Sequence, residues 1–207
     1  MTRKNYQGEV NDKERSKLKL INAVGKVLGE KGYTGLTATN IAKSAGLSRR
    51  LISIYFDSVD NLIETYVRKK DFWTAASGSA EEMMTENEAN NTKKIIDYLL
   101  QNQLDYFYNN PEMQKIILWE ISQKTKILYE VCEDRERLGS KIFELADKEF
   151  KNSTVDIRAV TALLVAGIYY MVLHAKSTDT LFCGIDINQS EGMDRIKNAI
   201  TTILQKA

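Results

Sequence analysis

The sequence predicts an all-α protein, and three observations carry the prediction. Apolar residues recur at helical spacing in one segment after another, as at Leu18, Leu20, Ile21, Val24, Val27 and Leu28. Proline, the strongest helix breaker, occurs once, at Pro111. Long runs rich in Leu, Ile, Lys and Glu fill the rest, and Leu, Lys and Glu lose little rotamer freedom in a helix. With 43% hydrophobic residues among 207, the chain can bury a sizeable core.

About nine helices follow in order. Residues 1–11 are polar and without periodicity, a flexible arm. The first helix runs from Asp12, a plausible N-cap, to Glu30, and Gly32 suits the left-handed position that ends it. The second spans 38–44 behind Thr37 as N-cap. Ala45-Gly46-Leu47 makes a turn, and Ser48 caps a third helix reaching about Tyr55. Asp57-Ser58 breaks the chain, and Ser58 opens a fourth helix, with Leu62, Ile63, Tyr66 and Val67 on one face, continuing to about Ser77. Gly78 to Asn91 is an acidic connection. The fifth helix covers 92–108 and stops before Asn110-Pro111, because a residue preceding proline avoids helical torsions. The sixth covers 112–124, the seventh 127–150, the eighth 155–176 and the ninth 190–205. The turn-rich stretch 177–188 separates the last two.

Charge divides the chain unevenly. Residues 1–70 carry 14 Lys/Arg against 7 Asp/Glu, and residues 71–207 carry 15 against 21, so a basic head precedes an acidic body. Such a head suits a polyanion. Cys132 and Cys183 have no metal-binding or redox spacing and read as free thiols. The longest apolar segment, Ala159 to Ala175, is interrupted by Thr161, Gly167 and His174 and reads as a buried helix. The N-terminus has no apolar signal core, so a cytoplasmic protein is expected.

Two short helices joined by a three-residue turn form a helix-turn-helix. Gly46 supplies the left-handed torsion that other residues resist, and Ala42 permits close crossing. Ile41, Leu47, Ile52 and Phe56 are spaced to pack inward onto the first helix. Arg49, Arg50 and Ser53 then project outward, where the start of such a helix meets base edges in a major groove. Arginine donates two hydrogen bonds to guanine or neutralises phosphate.

The ordered set Thr37-x-x-x-Ile41-Ala42-x-x-Ala45-Gly46-Leu47-Ser48, then Tyr55-Phe56, then Leu62, resembles the TetR family of transcriptional regulators over about residues 14–67. Cys183-Gly184-Ile185-Asp186 before the last helix is similar to a recurring turn of that family. The resemblance implies an N-terminal three-helix helix-turn-helix DNA-binding domain over 1–57 and a C-terminal helical ligand-binding and dimerisation domain over 58–207, with helix 58–77 as connector. It implies a homodimer reading a palindromic double-stranded DNA operator, and repression as the commonest mode. The DNA-binding positions it points to are Thr37, Thr39, Ser48, Arg49, Arg50, Ser53, Ile54 and Tyr55. Ser53, Ile54 and Val59 stand where the family often has Tyr, His or another polar residue, and Lys; Arg50 replaces a frequent Gly. Arg3 and Lys4 of the arm, and the start of the fourth helix, could supply phosphate contacts instead. A second reading therefore stays open: a helical small-molecule or protein-binding module with weakened DNA binding.

The eighth helix (Val160, Leu163, Leu164, Gly167, Ile168, Met171, Val172) and the ninth (Ile196, Ile200, Ile203, Leu204) offer broad apolar faces, for a dimer interface, the subunit core, or both. Aromatic residues are plentiful in the body, and the family's effector pocket lies there. Trp119, Tyr169 and His174, the single histidine, are the pocket candidates for a small, largely apolar effector. No Ser/His/Asp set, phosphate-cradling glycine loop or metal-ligand cluster is readable, so no enzyme, cofactor or metal is expected.

Overall fold

The computed structural model describes residues 7–76, 78, 82 and 92–207. The expected arm contacts Arg3 and Lys4, and most of the acidic connection, lie outside the described residues. The chain divides into two compact units, 1–70 with 118–131 and 71–117 with 132–207. Among the described residues there is no strand, only an isolated bridge between Phe182 and Ile185.

The first unit holds α1 (Gln7–Lys31), a 3-10 turn (Tyr33–Gly35), α2 (Ala38–Ala45), α3 (Arg50–Phe56) and α4 (Val59–Lys70). Helix α1 starts at Gln7, five residues before the expected cap Asp12. Extending a nucleated helix costs little, so a polar segment without periodicity can continue it. α1 packs on α2 and α4. Leu20, Val24, Val27, Ile41, Ile52, Leu62 and Val67 are buried between them, which is the inward face the periodicity marks. Gly32 has the positive φ expected (66°), but its ψ of −176° is extended, not left-handed helical.

Helix α4 ends at Lys70, short of Ser77, and a separate helical stretch covers 72–76. Asp71 makes the break. Its Oδ1 accepts the Thr74 amide at 2.9 Å and the Thr74 hydroxyl at 3.1 Å, the geometry of an N-cap. An acidic residue amid Arg68, Lys69, Lys70 and Phe72 reads as surface charge in the sequence, and its capping role depends on burial that only the fold supplies.

The second unit contains the 72–76 stretch, α5 (Thr92–Asn109), most of α6 (Pro111–Ser122) and α7 (Lys126–Glu149), then α8 (Ile157–Thr178) and α9 (Ser190–Lys206). Pro111 opens α6 at the position where a missing N–H costs nothing. α5 packs against α8 and α9, burying Ile96, Leu100, Leu104 and Phe107 with Ile168, Val172, Ile200 and Leu204. The Thr92 amide donates to Glu149 Oε2 at 2.9 Å, fastening the start of α5 to the end of α7. Gln101 Nε2 donates to the Lys197 carbonyl at 2.9 Å and to Thr201 Oγ1 at 3.1 Å, fastening it to α9.

Helix α8 departs from the expected buried helix. It is long and apolar enough to cross a membrane by length and composition, yet only 22% of its apolar window is buried. Ile157, Ile168, Val172 and Ala175 face the core. Leu163, 74% exposed, and Tyr170 lie on the outer side. Asp156 caps the helix by accepting the Ala159 amide at 3.0 Å. Beyond α8 the chain reverses through Phe182–Ile185, with reciprocal backbone bonds of 3.0 and 2.9 Å and positive φ at Cys183 and Gly184. Asp186 then presses its carbonyl against the first turn of α9. A Cβ on Gly192 would stand 1.9 Å from that oxygen, so only glycine fits there.

Candidate nucleic-acid interface and the core of the second unit

The tip of the first unit is built around two turn residues. Thr37 has extended torsions and its side chain accepts the Asn40 amide, starting α2 as expected. Asn40 in turn donates to the Gly35 carbonyl at 2.9 Å, fixing the 3-10 turn to α2. Gly46 adopts φ 65° and ψ 32°, the left-handed state the turn needs. Its amide reaches back to Ala42 and Lys43 carbonyls, closing α2.

Ser48 begins α3 in a modified way. Its Oγ accepts the Arg50 amide at 3.3 Å, and its carbonyl accepts from Leu51 at 3.0 Å. Arg49 itself occupies the cap position, without a side-chain bond. The consequence is that Ser48, Arg49, Arg50, Ser53 and Ile54 all stand exposed on one side of α3, while Ile52 is buried on the other. Leu47 and Phe56, expected to pack inward, are half-buried. Tyr55 is half-buried too, and Thr37 and Thr39 are exposed at the start of α2. An open groove of about 580 Å³ is lined by Ala38, Ser48, Arg49, Arg50, Ser53 and Val59 with Ile52 at its base. Two guanidiniums, two hydroxyls and no carboxylate line this surface, a composition suited to phosphate and base edges.

The three effector candidates fall in two units: Trp119 in the first, Tyr169 and His174 in the second. Trp119 belongs to the first unit, where its ring stacks on Tyr33 with centroids 6.1 Å apart and planes 4° apart. His174 lies on the outer side of α8, against Phe182 at 5.3 Å and Tyr170 at 5.9 Å, and its Nδ1 stands 3.5 Å from the Thr178 hydroxyl. Tyr169 alone points into the second unit's core. Phe107 meets its ring edge-on at 4.8 Å, and the Trp73 indole N–H donates to its hydroxyl at 3.2 Å.

Around Tyr169 lies a polar cluster that pattern reading misses. Asp71, with no exposed surface, pairs through Oδ2 with Arg135 Nε at 2.7 Å and Nη2 at 2.6 Å. Burial raises the Tyr169 pKa; the Arg135 charge and the Trp73 hydrogen bond act in the opposite sense, as does the nearby Gln103 amide, and Asp71 adds to the rise. Tyr106, whose ring lies 5.6 Å from Phe72, is also raised, by burial first and then by Asp71 and Glu112. One signal was legible: Gln103 sits on the stripe of Ile96, Leu99, Leu100, Leu104 and Phe107, a polar residue where the helical period demands an apolar one. Among the described residues no group of three or more His, Cys, Asp or Glu could hold a metal ion, and Cys132 and Cys183 are free thiols.

Comparison with known proteins agrees with this architecture. Residues 20–66 match the family described as bacterial regulatory proteins, tetR family. The protein named Probable HTH-type transcriptional regulator YttP, from Bacillus subtilis (strain 168), is 24% identical over 137 residues, which are 66% of this chain and 65% of that protein. The match thus spans under two thirds of the relative's length. Among solved structures, the Bacillus subtilis transcriptional regulator FadR in complex with stearoyl-CoA aligns over 90% of this chain and 96% of its own, with TM-score 0.65 and 16% identity. HlyIIR, a hemolysin II transcriptional regulator, aligns over 91% and 98%, with TM-score 0.59 and 19% identity. At these identities the structural likeness speaks for the all-helical fold. The family match falls on the helix-turn-helix, where Gly46 turns the chain and the arginines emerge, and over residues 20–66 the chain is similar to the tetR family of bacterial regulatory proteins.

Proposed function

We propose that this protein is a ligand-responsive transcriptional regulator of the repressor type, cytoplasmic, that binds a palindromic operator as a homodimer and is released by a small, largely apolar effector. The observation that carries the reading is the α3 tip: Arg49, Arg50 and Ser53 exposed together above a buried Ile52, behind a left-handed Gly46. Thr37, Thr39, Ser48, Ile54 and Tyr55 complete the DNA-facing set. Ile54, 56% exposed, offers an apolar contact such as a thymine methyl takes.

A single tip holds too few contacts for selective binding, so two copies must act together. Recognition helices one duplex turn apart, about 34–36 Å, would read successive major grooves. The outer sides of α8 and α9, with Leu163, Tyr170 and Ile203 exposed, are the faces proposed to pair; Ile168, Val172, Ile200 and Leu204 instead serve the subunit core. Effector binding in the second unit would shift a population of tip spacings through the Lys70–Asp71 junction, and by linkage DNA would change effector affinity by the same factor. The likeness to a regulator solved with stearoyl-CoA supports an effector with a long apolar chain.

The test is fluorescence anisotropy of the intact protein with the palindrome nearest its own gene, against a random duplex. Selective binding that weakens steeply with salt is expected. Arg49→Ala with Arg50→Ala should abolish it while circular dichroism stays unchanged. Affinity equal to that for random duplex, or unaltered in the double variant, would favour the second reading, a binding module without DNA recognition. That reading draws on Ser53, Ile54 and Val59 at positions where the family favours phosphate-gripping side chains.

A further inference from the structure

Gln103 of α5 is 1% exposed, and among the described residues neither Nε2 nor Oε1 has a hydrogen-bond partner. The amide lies near the Tyr169 hydroxyl, where it favours the phenolate. A carboxamide offers two donors and two acceptor sites, and buried amides are almost always satisfied. Two nearby glutamines obey that rule. Gln101, two residues earlier, bonds α9 through Lys197 and Thr201, and Gln114 donates to the Phe107 and Tyr108 carbonyls at 2.8 and 3.1 Å. Among the described residues Gln103 is the buried glutamine left with open valences on both atoms, and it shares a buried stripe with Phe107, whose ring packs on Tyr169, the acceptor of the Trp73 indole.

We propose that Gln103 and Tyr169 form the polar end of the effector site, and that it takes an apolar molecule with an uncharged head carrying adjacent hydrogen-bond donor and acceptor groups, as in a carboxamide. The proposal rests on the reading that the second unit binds an effector, and it adds the chemistry of the head. Complementarity selects the head: an amide meets another amide through paired N–H···O bonds, satisfying both of its atoms at once. Charge decides against an anion. Arg135, the cation felt at Tyr169, is held by Asp71 through two contacts of 2.6 and 2.7 Å, and Asp71 also caps the 72–76 stretch. An anionic head would have to take Arg135 from a buried carboxylate, leaving that charge unpaired. A cationic head would face Arg135 itself.

The experiment is isothermal titration of the intact protein with decanamide, decanoate and 1-decanol, which share one tail, on wild type and Gln103→Leu. Decanamide is expected to bind at least tenfold more tightly than decanoate, and Gln103→Leu to remove that preference. The variant should melt at or above the wild-type temperature, because it deletes two unsatisfied polar atoms at nearly constant volume. A clearly lower melting temperature would overturn the proposal by showing that the amide serves the fold through an internal water. Binding of decanoate or decanol in preference to decanamide would overturn the head-group assignment alone. Binding of none of the three would overturn the effector reading beneath it.

Discussion

Replacing Gly46 isolates one backbone conformation from everything around it. Its φ of 65° and ψ of 32° are left-handed, and a Cβ built there meets nothing within 4 Å. Gly46→Ala therefore adds strain without a clash. The left-handed state costs an alanine about 1–2 kcal/mol, and the stiffer unfolded chain returns about 0.4–1 kcal/mol. The net loss is about 1 kcal/mol, roughly a fivefold rise in the opening equilibrium of the turn. Because the protein has two units, a global melt would blur this, and amide hydrogen exchange by mass spectrometry should be read over α2 and α3. Exchange there should accelerate about fivefold, with α5, α8 and α9 unchanged, and operator affinity should fall with it. Gly46→Asn, whose side chain tolerates left-handed torsions, should recover most of the protection. Equal losses for Ala and Asn would refute the strain argument and point to a requirement for bare backbone at the turn, such as close approach to DNA.

Four further outcomes follow from the geometry. Gly192→Ala places a methyl 1.9 Å from the Asp186 carbonyl, so it should cost about 3 kcal/mol in urea unfolding, far more than Gly46→Ala. Arg135→Met strands the buried Asp71 carboxylate and should destabilise by about 3–5 kcal/mol, with loss of α-helical signal on mild heating. Tyr169 should titrate above the ordinary tyrosine pKa of 10.0 by carbon-13 NMR, and Trp73→Phe should push it higher, since the indole N–H that stabilises the phenolate is gone. With the folded pKa raised, the buried phenol contributes stability fully below about pH 10 and loses it as pH climbs through the folded value. Leu163→Glu with Ile203→Glu should convert the proposed homodimer to monomer in sedimentation equilibrium while leaving each subunit folded, because both side chains are exposed.

The head of the molecule was legible in sequence because its devices are local. A threonine cap, a glycine at a left-handed turn and an apolar period each act within a few residues, and Thr37, Gly46, Ile41 and Ile52 stand where those rules put them. The body was legible in its helices and not in its chemistry. Pro111 marked the α5–α6 break from adjacent residues alone, whereas the α4 break at Asp71 depends on Arg135, 64 positions away. The aromatics show the same limit. Trp119, Tyr169 and His174 share an apolar setting in sequence, yet one stacks on Tyr33, one faces the core and one lies on the outer side of α8. Helical spacing gives the side of its own helix a residue occupies, and only tertiary packing gives what that side meets.

Gln103 shows how a violation of pattern can carry more than the pattern. On an exposed face it would be unremarked. On the stripe with Leu100, Leu104 and Phe107 it breaks the apolar rule, and the fold does not mend the breach by giving the amide a partner. The Asp71–Arg135 pair nearby is the opposite case, two charges that the fold matches to each other at 2.6 Å. On the proposal above, a buried ion pair that is matched beside an amide that is not favours hydrogen bonding over charge. On the function proposed above, the two units would have distinct electrostatic tasks: exposed guanidiniums at α3 for a polyanion, and an interior whose Asp71–Arg135 charges are paired for a neutral molecule. An effector that carried a net negative charge would compete for neither task well, which is why the contrast between decanamide and decanoate tests the division as well as the site.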